Sequence, residues 1–322
     1  MEMTNRRSFI LSASAFAAMA AAPSRTMAQD RGAPDLKLGV ISDVHIRNPG
    51  DEKIVWDALC WYRDQRVDAV VVAGDVADYG LIWQMDAFMG AWHAAFPGGR
   101  CGGRNKVELI YVTGNHEYNI WQELGHIYKG EAKVEPQVFV THIEREWRRL
   151  FGEPYAPAFV KTVKGYSFLC VNFLGYDGKE NLAAVRALFE REAKAIAPDR
   201  PFFLVQHDHP RGTCGYTPGK PDALTAFLSQ HRNLVCLSGH CHATLADKRS
   251  FWHGGFTSVN TATLQKVWNS PEAVAAGAPK SEPRAQGLLV RVWPDYVHFE
   301  KRDFTDGKRL DPHWEVKLRQ KN

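Results

Sequence analysis

The chain has 322 residues, 45% of them hydrophobic and 24% charged, with 40 Lys+Arg against 36 Asp+Glu. These fractions exclude a disordered chain, a collagen-like fibre and a small disulfide-held scaffold, and a formal charge of +4 is too small to argue for nucleic acid or an anionic membrane as partner. At roughly 150 residues per domain the length admits two domains, but one large α/β domain fits it equally well.

The first feature in chain order is the pair Arg6-Arg7, followed by Phe9, Ile10 and Leu11 and an Ala/Ser-rich stretch over 12–22. A membrane span needs about 20 apolar residues, and this stretch is too short and interrupted. The run resembles a bacterial twin-arginine export signal, with processing expected after Thr26-Met27-Ala28. That resemblance implies a signal peptide over 1–28, one domain over 29–322, passage through the twin-arginine machinery and a periplasmic or secreted destination. Removal of 1–28 takes three arginines and one glutamate with it, leaving a net charge of +2. No later stretch of the sequence is long and apolar enough to span a bilayer.

Strands and helices then alternate. A strand is predicted over 36–42 and a helix over 52–66, with Ile54, Val55, Ala58, Leu59 and Tyr62 on one face. Residues 69–73 form a continuous apolar run of the kind found in strands buried on both faces. A helix over 81–96, a strand over 107–112 and amphipathic helices over 141–150 and 182–197 follow. Strands are predicted over 166–173, 202–206 and 234–237, with a helix over 223–230. Past Phe251 the helical signal fades, and 287–292 and 296–301 read as neighbouring strands. The early βαβα alternation argues for a largely parallel sheet, and the strand-rich tail for an antiparallel supplement. Gly/Pro-bearing loops at 97–105, 208–222 and 269–286 do not divide the chain. The six cysteines show no CxxC spacing. Cys60, Cys170 and Cys236 sit in apolar runs and are expected to be buried, whereas Cys101 and Cys214 lie in Gly-rich loops where a disulfide is open.

Five apolar runs end in residue types that bind metals. They lead into Asp43-Val44-His45, Gly74-Asp75, Gly114-Asn115-His116-Glu117, His207 and Gly239-His240-Cys241-His242. In open α/β sheets, ligands bind beyond the carboxyl ends of the strands. In extended backbone, residues i and i+2 face the same way, so Asp43 pairs with His45 and His240 with His242, with Val44 and Cys241 turned aside. Glycines before Asp75, Asn115 and His240 permit the tight backbone that brings short side chains to a shared ion. Each element alone is commonplace; the ordered set is not.

That set resembles the calcineurin-like metallophosphoesterase family, whose pattern is D-x-H, G-D, G-N-H-[DE], H, G-H-x-H in this order. The resemblance covers Asp43 to His242 with no element missing. It implies a four-layer αββα sandwich of two mixed β-sheets flanked by helices. It also implies that Asp43, His45 and His242 hold one metal, that Asn115, His207 and His240 hold the other, and that Asp75 bridges them. His116 is then the residue that protonates the leaving oxygen or stabilises charge beside it. Asp78 matches the carboxylate that orients this histidine, although an N-cap of the helix beginning near Leu81 is an equal alternative. Purple acid phosphatases carry a metal-binding Tyr three residues after the bridging Asp. Here that position is Asp78, with Tyr79 one further on, so no charge-transfer colour is expected.

Imidazole, carboxylate and amide donors suit Fe, Mn or Zn, and the absence of thiolates disfavours a structural zinc site. Two ions about 3.5–4 Å apart would clamp an in-line displacement at phosphorus and acidify a bridging water, so a bridging hydroxide is the expected nucleophile. His209 rivals His207 as a ligand, and His207 is preferred because it ends its apolar run as the other ligands do. His209, Arg211, Tyr118, Tyr176 and His253 are candidates for substrate contact. Three functions follow for comparison: an exported phosphomonoesterase or phosphodiesterase acting on a small phosphate ester, a binding module of the same fold without catalysis, and a nuclease. The modest charge and the absence of a basic stripe weigh against the nuclease.

Overall fold

The run Ala69-Val70-Val71-Val72-Ala73 has no polar side to offer water, and it becomes a strand covered on both faces. The computed structural model describes residues 31–103, 105–118, 136–175, 178–192, 196, 199–214 and 219–318. Pro34–Asn322 forms one unit by its contacts. The expected signal peptide over 1–28 and Tyr176 lie outside the described residues.

In chain order, β1 (Leu36–Ile41), α1 (Glu52–Asp64), β2 (Ala69–Ala73), α2 (Ile82–Ala95) and β3 (Glu108–Val112) open the fold. Helix α3 (Pro136–Phe151) leads to β4 (Ala158–Val163), β5 (Tyr166–Val171), α4 (Gly178–Glu192), β6 (Phe202–Val205), α5 (Ala223–Leu228) and β7 (Leu234–Ser238). Then come β8 (Phe251–His253), β9 (Thr257–Asn260), β10 (Val267–Trp268), α6 (Pro271–Ala275), β11 (Ser281–Glu282), β12 (Gln286–Trp293), β13 (Tyr296–Asp303) and β14 (Lys308–Lys317).

Two six-stranded sheets result, ordered β14-β13-β12-β1-β2-β3 and β8-β9-β7-β6-β5-β4. Both are mixed. In the first, β1, β2 and β3 run parallel and the tail adds β12, β13 and β14 as an antiparallel meander. In the second, β5, β6, β7 and β9 are parallel, with β4 and β8 antiparallel at the edges. The inner faces meet in one apolar core, where Val40, Val71, Ile110 and Phe299 of the first sheet join Phe168, Phe203, Val235 and Val259 of the second. Helices α1, α2 and α3 cover the outer face of the first sheet through Leu59, Tyr62, Phe88, Trp92 and Trp147. Helices α4 and α5 cover the second through Val185, Leu188 and Leu228. This is the expected αββα sandwich.

Some elements differ from the sequence reading. Helix α3 starts at Pro136, five residues before the predicted start. Edge strands β4 and β8, short β9 and the final β14 have no counterpart in the predicted set. Edge strands have one exposed side and need no long apolar run, and β14 carries Pro312, a residue that sheets tolerate at edges. Cys170 and Cys236 are buried as expected, while Cys60 is half-buried on α1. Cys101 Sγ faces Arg63 O at 3.1 Å and Cys214 Sγ faces the Ser258 hydroxyl at 3.7 Å, so the two loop thiols are not joined.

Candidate metal centre

Pairing between the first two strands continues past their ends. The Asp43 amide donates to Gly74 O at 3.0 Å, His45 to Asp75 O at 3.0 Å and Ile46 to Val76 O at 2.9 Å. The two loops therefore leave the sheet side by side with their polar side chains on one edge. Extended backbone was expected there, but Asp43, His45, Asp75, His240 and His242 all have φ between 47° and 67°. A left-handed residue with a side chain costs of order 1–3 kcal/mol and persists only where its surroundings enforce it. Its consequence for direction matches the alternation: Val44 turns into the core, and Cys241 Sγ turns toward Asn260 Oδ1 at 3.3 Å and His209 Nε2 at 3.5 Å.

Two glycines serve close approach. A Cβ on Gly114 would sit 2.1 Å from Asp75 Oδ1, and one on Gly239 2.2 Å from Asp43 Oδ2. Any side chain at either position would displace a carboxylate from the centre.

Two clusters of donors form. In the first, His242 Nε2 lies 3.1 Å and His45 Nε2 3.9 Å from Asp43 Oδ1, and the two Nε2 atoms are 3.0 Å apart. In the second, His207 Nε2 lies 3.0 Å from Asp75 Oδ2 and 3.3 Å from His240 Nδ1, which is 3.1 Å from Asn115 Oδ1. Asp75 Oδ2 is also 3.8 Å from His45 Nε2, so this carboxylate reaches both clusters. All seven residues named from the strand ends thus converge.

The outward partners of the imidazoles decide what faces inward. His45 Nδ1 points at Asp78 Oδ1 (3.0 Å), His207 Nδ1 at Ala73 O (2.8 Å) and His242 Nδ1 at Lys266 O (3.2 Å). Carboxylate and carbonyl oxygens only accept, so each Nδ1 carries the proton and each Nε2 turns a lone pair inward. Lone pairs on His45 and His242 then oppose each other beside Asp43, and that of His207 opposes Asp75. Such geometry requires a positive charge between them. Without an ion, a proton takes that place. Burial disfavours the His207 imidazolium, but Asp75 outweighs burial and holds its pKa well above 6.5. Burial would likewise raise Asp43 and Asp75, yet His242 beside the one and His207 beside the other keep both carboxyls below the usual range. Nitrogen and oxygen donors, ionised carboxylates and inward lone pairs fit transition-metal ions.

The supporting residues were only partly foreseen. The Asp78 carboxylate was expected on His116, but it accepts from His45 and, through Oδ2, from Arg47 Nε at 2.7 Å. His116 Nδ1 is 3.6 Å from that carboxylate and donates instead to the Asp78 main-chain oxygen at 2.8 Å. Asp78 is not the N-cap either: α2 starts after Leu81, and Gln84 Oε1 accepts from the Tyr79 and Leu81 amides. The His116 amide donates to Asp75 Oδ1 at 2.9 Å, and its ring packs edge-on to His45 with centroids 4.5 Å apart. Buried Glu117 accepts from four main-chain amides, those of Asp75, Val76, Ala77 and Gly114. Ser42 donates to Asp43 Oδ2 at 2.5 Å and accepts from the Thr261 hydroxyl, while Thr263 donates to Asp43 O. Arg47, Ser42, Thr261 and Thr263 were not singled out from sequence, and Glu117 was named there only as the last residue of its motif, without a role. For the two threonines the signal available was the run Asn-Thr-Ala-Thr over 260–263, at and just past the end of β9, whose polar residues an apolar core does not otherwise tolerate.

The substrate-contact candidates fare differently. His209 is buried against Cys241 rather than joining His207 at Asp75, and burial pushes its pKa down to about 4. The Tyr118 hydroxyl bonds Tyr155 at 2.9 Å and Thr113 at 3.3 Å, which makes it part of the packing below the loop. His253 lies on edge strand β8, bonded to Thr257. Arg211 is exposed, and its main-chain oxygen accepts from Thr225.

Comparison with known proteins places this geometry. A dimetal phosphatase from Danio rerio shares the fold with a TM-score of 0.50 at 12% identity, over 89% of this chain and 100% of that one. GAP50, the anchor in the inner membrane complex of Plasmodium, gives a TM-score of 0.50 at 12% identity over 89% of each chain. At such identities the likeness is one of fold, which serves a phosphatase in one protein and an anchor in the other. No curated protein matches the sequence. A family model described as calcineurin-like phosphoesterase matches residues 36–244, from the first residue of β1 to two residues past His242. All seven convergent donors fall inside that match, which spans well over half of the sequence, and the chain belongs to the calcineurin-like phosphoesterase family.

Proposed function

We propose that the protein is a two-ion phosphoesterase, with Asp43, His45 and His242 holding one ion, Asn115, His207 and His240 the other, and Asp75 shared. One observation carries the reading. His45, His207 and His242 each spend the Nδ1 proton on an outward acceptor and aim Nε2 at the Asp43 and Asp75 carboxylates. The donor set suits Fe, Mn or Zn. When bound, such a pair supplies Lewis acidity at the phosphoryl oxygens and a water acidic enough to serve as nucleophile near neutral pH.

The remaining work falls to the chain. Asp78 fixes the His45 tautomer, as Ala73 O and Lys266 O do for His207 and His242. His116 keeps Nδ1–H on the Asp78 carbonyl, so it acts as general acid in its imidazolium form: Nε2–H passes its proton to the departing oxygen of a phosphomonoester or phosphodiester and the neutral Nδ1–H tautomer is left behind. Its imidazole is partly exposed, as such a transfer requires.

The test is elemental analysis of purified protein together with release of p-nitrophenol from p-nitrophenyl phosphate and bis-p-nitrophenyl phosphate. Two ions per chain, turnover abolished by chelation and turnover restored by Mn, Fe, Zn or Co are expected. A protein that binds two ions but turns over neither ester would be a silent binding module, and one that takes up no ion would refute the reading altogether. Export by the twin-arginine route is proposed from Arg6-Arg7 and the Ala/Ser-rich stretch. N-terminal sequencing of protein recovered outside the cytoplasm should begin at Gln29. Among the described residues no helix is long and apolar enough to cross a membrane.

A further inference from the structure

The segment over 269–286, a Gly/Pro-bearing loop in the sequence, folds as a flap beside the candidate centre. Strands β10 and β11 pair antiparallel at its base. Helix α6 sits between them, its first turn capped by Ser270, whose Oγ accepts from the Ala273 amide at 3.0 Å. The Trp268 amide donates to His242 O at 2.8 Å and Thr244 donates to Trp268 O at 3.1 Å. The flap is therefore fastened to the same backbone that carries His240 and His242.

Between the flap and that backbone lies a cavity of about 700 Å³ lined by His240, Cys241, Trp268, Val274, Ala275 and Lys280 among others. Helix α6 buries none of its side chains, and Val274 is one of few large apolar residues left exposed among those described. An apolar wall therefore faces open space directly beside a candidate ligand. His240 belongs to both places: its Nδ1 faces Asn115 and His207 in the second donor cluster, and the residue is among those that line the cavity. The volume is that of a small-molecule site, about 300–1,000 Å³, and the mixture of apolar walls with a few polar groups is typical of one. Lys280 and Lys266 hold their ammonium groups 5.4 Å and 5.3 Å from the centre of the Trp268 ring. Their charge disfavours a cationic occupant.

We infer that this cavity receives the apolar, non-cationic organic part of a phosphate ester whose phosphorus lies at the donor clusters, so that Trp268, Val274 and Ala275 set substrate preference. This rests on the phosphoesterase reading and adds a substrate class to it. The occupant is the substrate itself, because His240 both borders the cavity and belongs to the second donor cluster.

Octyl phosphate and ethyl phosphate have leaving alcohols of nearly equal basicity, so a difference between them reports on the chain rather than on the chemistry. With the metal-loaded enzyme, kcat/KM for octyl phosphate should exceed that for ethyl phosphate by roughly tenfold or more, from burial of the added methylenes. The difference should reside in KM. Val274→Asp and Ala275→Glu, both at exposed positions that the fold tolerates, should each collapse the octyl-to-ethyl ratio toward one. Calorimetric titration with octylphosphonate, which is not hydrolysed, should show weaker binding to both variants. A ratio near one in the parent enzyme, or a ratio that survives both substitutions, would overturn the cavity assignment and leave the phosphoesterase reading intact. Turnover of a p-nitrophenyl ester but of neither alkyl phosphate would overturn the cavity assignment alone; turnover of none of the four esters by protein carrying two ions would overturn the phosphoesterase reading, and this inference with it.

Discussion

The two halves of the candidate centre differ in what stands behind their donors. Around Asp43, side chains and main chain close the shell: Ser42 and the His240 amide hold the carboxylate, Asp78 holds His45, and Lys266 O holds His242. Arg47 in turn holds Asp78. Around Asp75 the arrangement is lopsided. His207 is fully buried on Ala73 O, whereas the His240 side chain is 40% exposed and the residue borders the flap cavity. One half is oriented by a chain of polar partners and the other is half scaffold, half opening. A substrate approaching from the flap meets the second half first.

The sharpest way to break this contrast is to remove what the halves share. Asp75 Oδ2 reaches His207 at 3.0 Å and His45 at 3.8 Å, so Asp75→Asn should lose both ions and nearly all turnover. Elemental analysis beside phosphate release reads this directly. Retention of one full equivalent of metal would show that the carboxylate serves a single half. His116→Ala comes next, with a rate loss of roughly 10²–10⁴-fold, the usual range for a general acid, and both ions kept. If metal content fell as well, the imidazole would belong to the ligand set and the assignment of roles would be wrong.

Asp78→Asn separates the halves. A carboxylate behind a ligating imidazole is worth roughly 10–100-fold in metal affinity or activity, and Asp78 stands behind His45 alone. One ion should therefore bind more weakly and the other as before, which a two-site metal titration resolves. Equal weakening of both sites would mean that the clusters act as one.

Much of this centre was legible in the sequence, for a physical reason. Buried strands advertise themselves as apolar runs, so Asp43, Asp75, Asn115, His207 and His240 stand out as polar residues at their ends. Convergence of those ends is a property of the fold class. The local backbone was not legible. Side-chain alternation was derived from extended geometry, and the chain reached the same directions through left-handed residues, with Asp75 packed on Gly114 and Asp43 on Gly239. Nor could sequence decide whether Asp78 serves His116 or His45, whose rings lie 4.5 Å apart. That choice is made by rotamers. The flap was the least legible part, because Pro-Glu-Ala-Val-Ala is too short for a helical period and its apolar residues face a cavity rather than a core.

The smallest effect on turnover and the clearest one on stability should come from Glu117→Gln. The Glu117 carboxylate accepts from the Val76 and Ala77 amides at one oxygen and from the Asp75 and Gly114 amides at the other. Burial and the nearby Asp75 charge raise its pKa, and the Gly114 and Ala77 amides oppose them. In the glutamine variant one of the two positions becomes an NH₂ group, whichever way the amide is turned. Two main-chain N–H groups then face a donor and lose their acceptor, at about 1–3 kcal/mol for each buried group left unpaired. Thermal unfolding should shift down by several degrees. If the side-chain oxygen stays on Asp75 and Gly114, the loop carrying Asn115 holds its place and turnover falls less than tenfold. An unchanged melting temperature would show that the four amides find other acceptors, and that the stiffness of the Asp75 half comes from β2 and β3 rather than from the carboxylate between their loops.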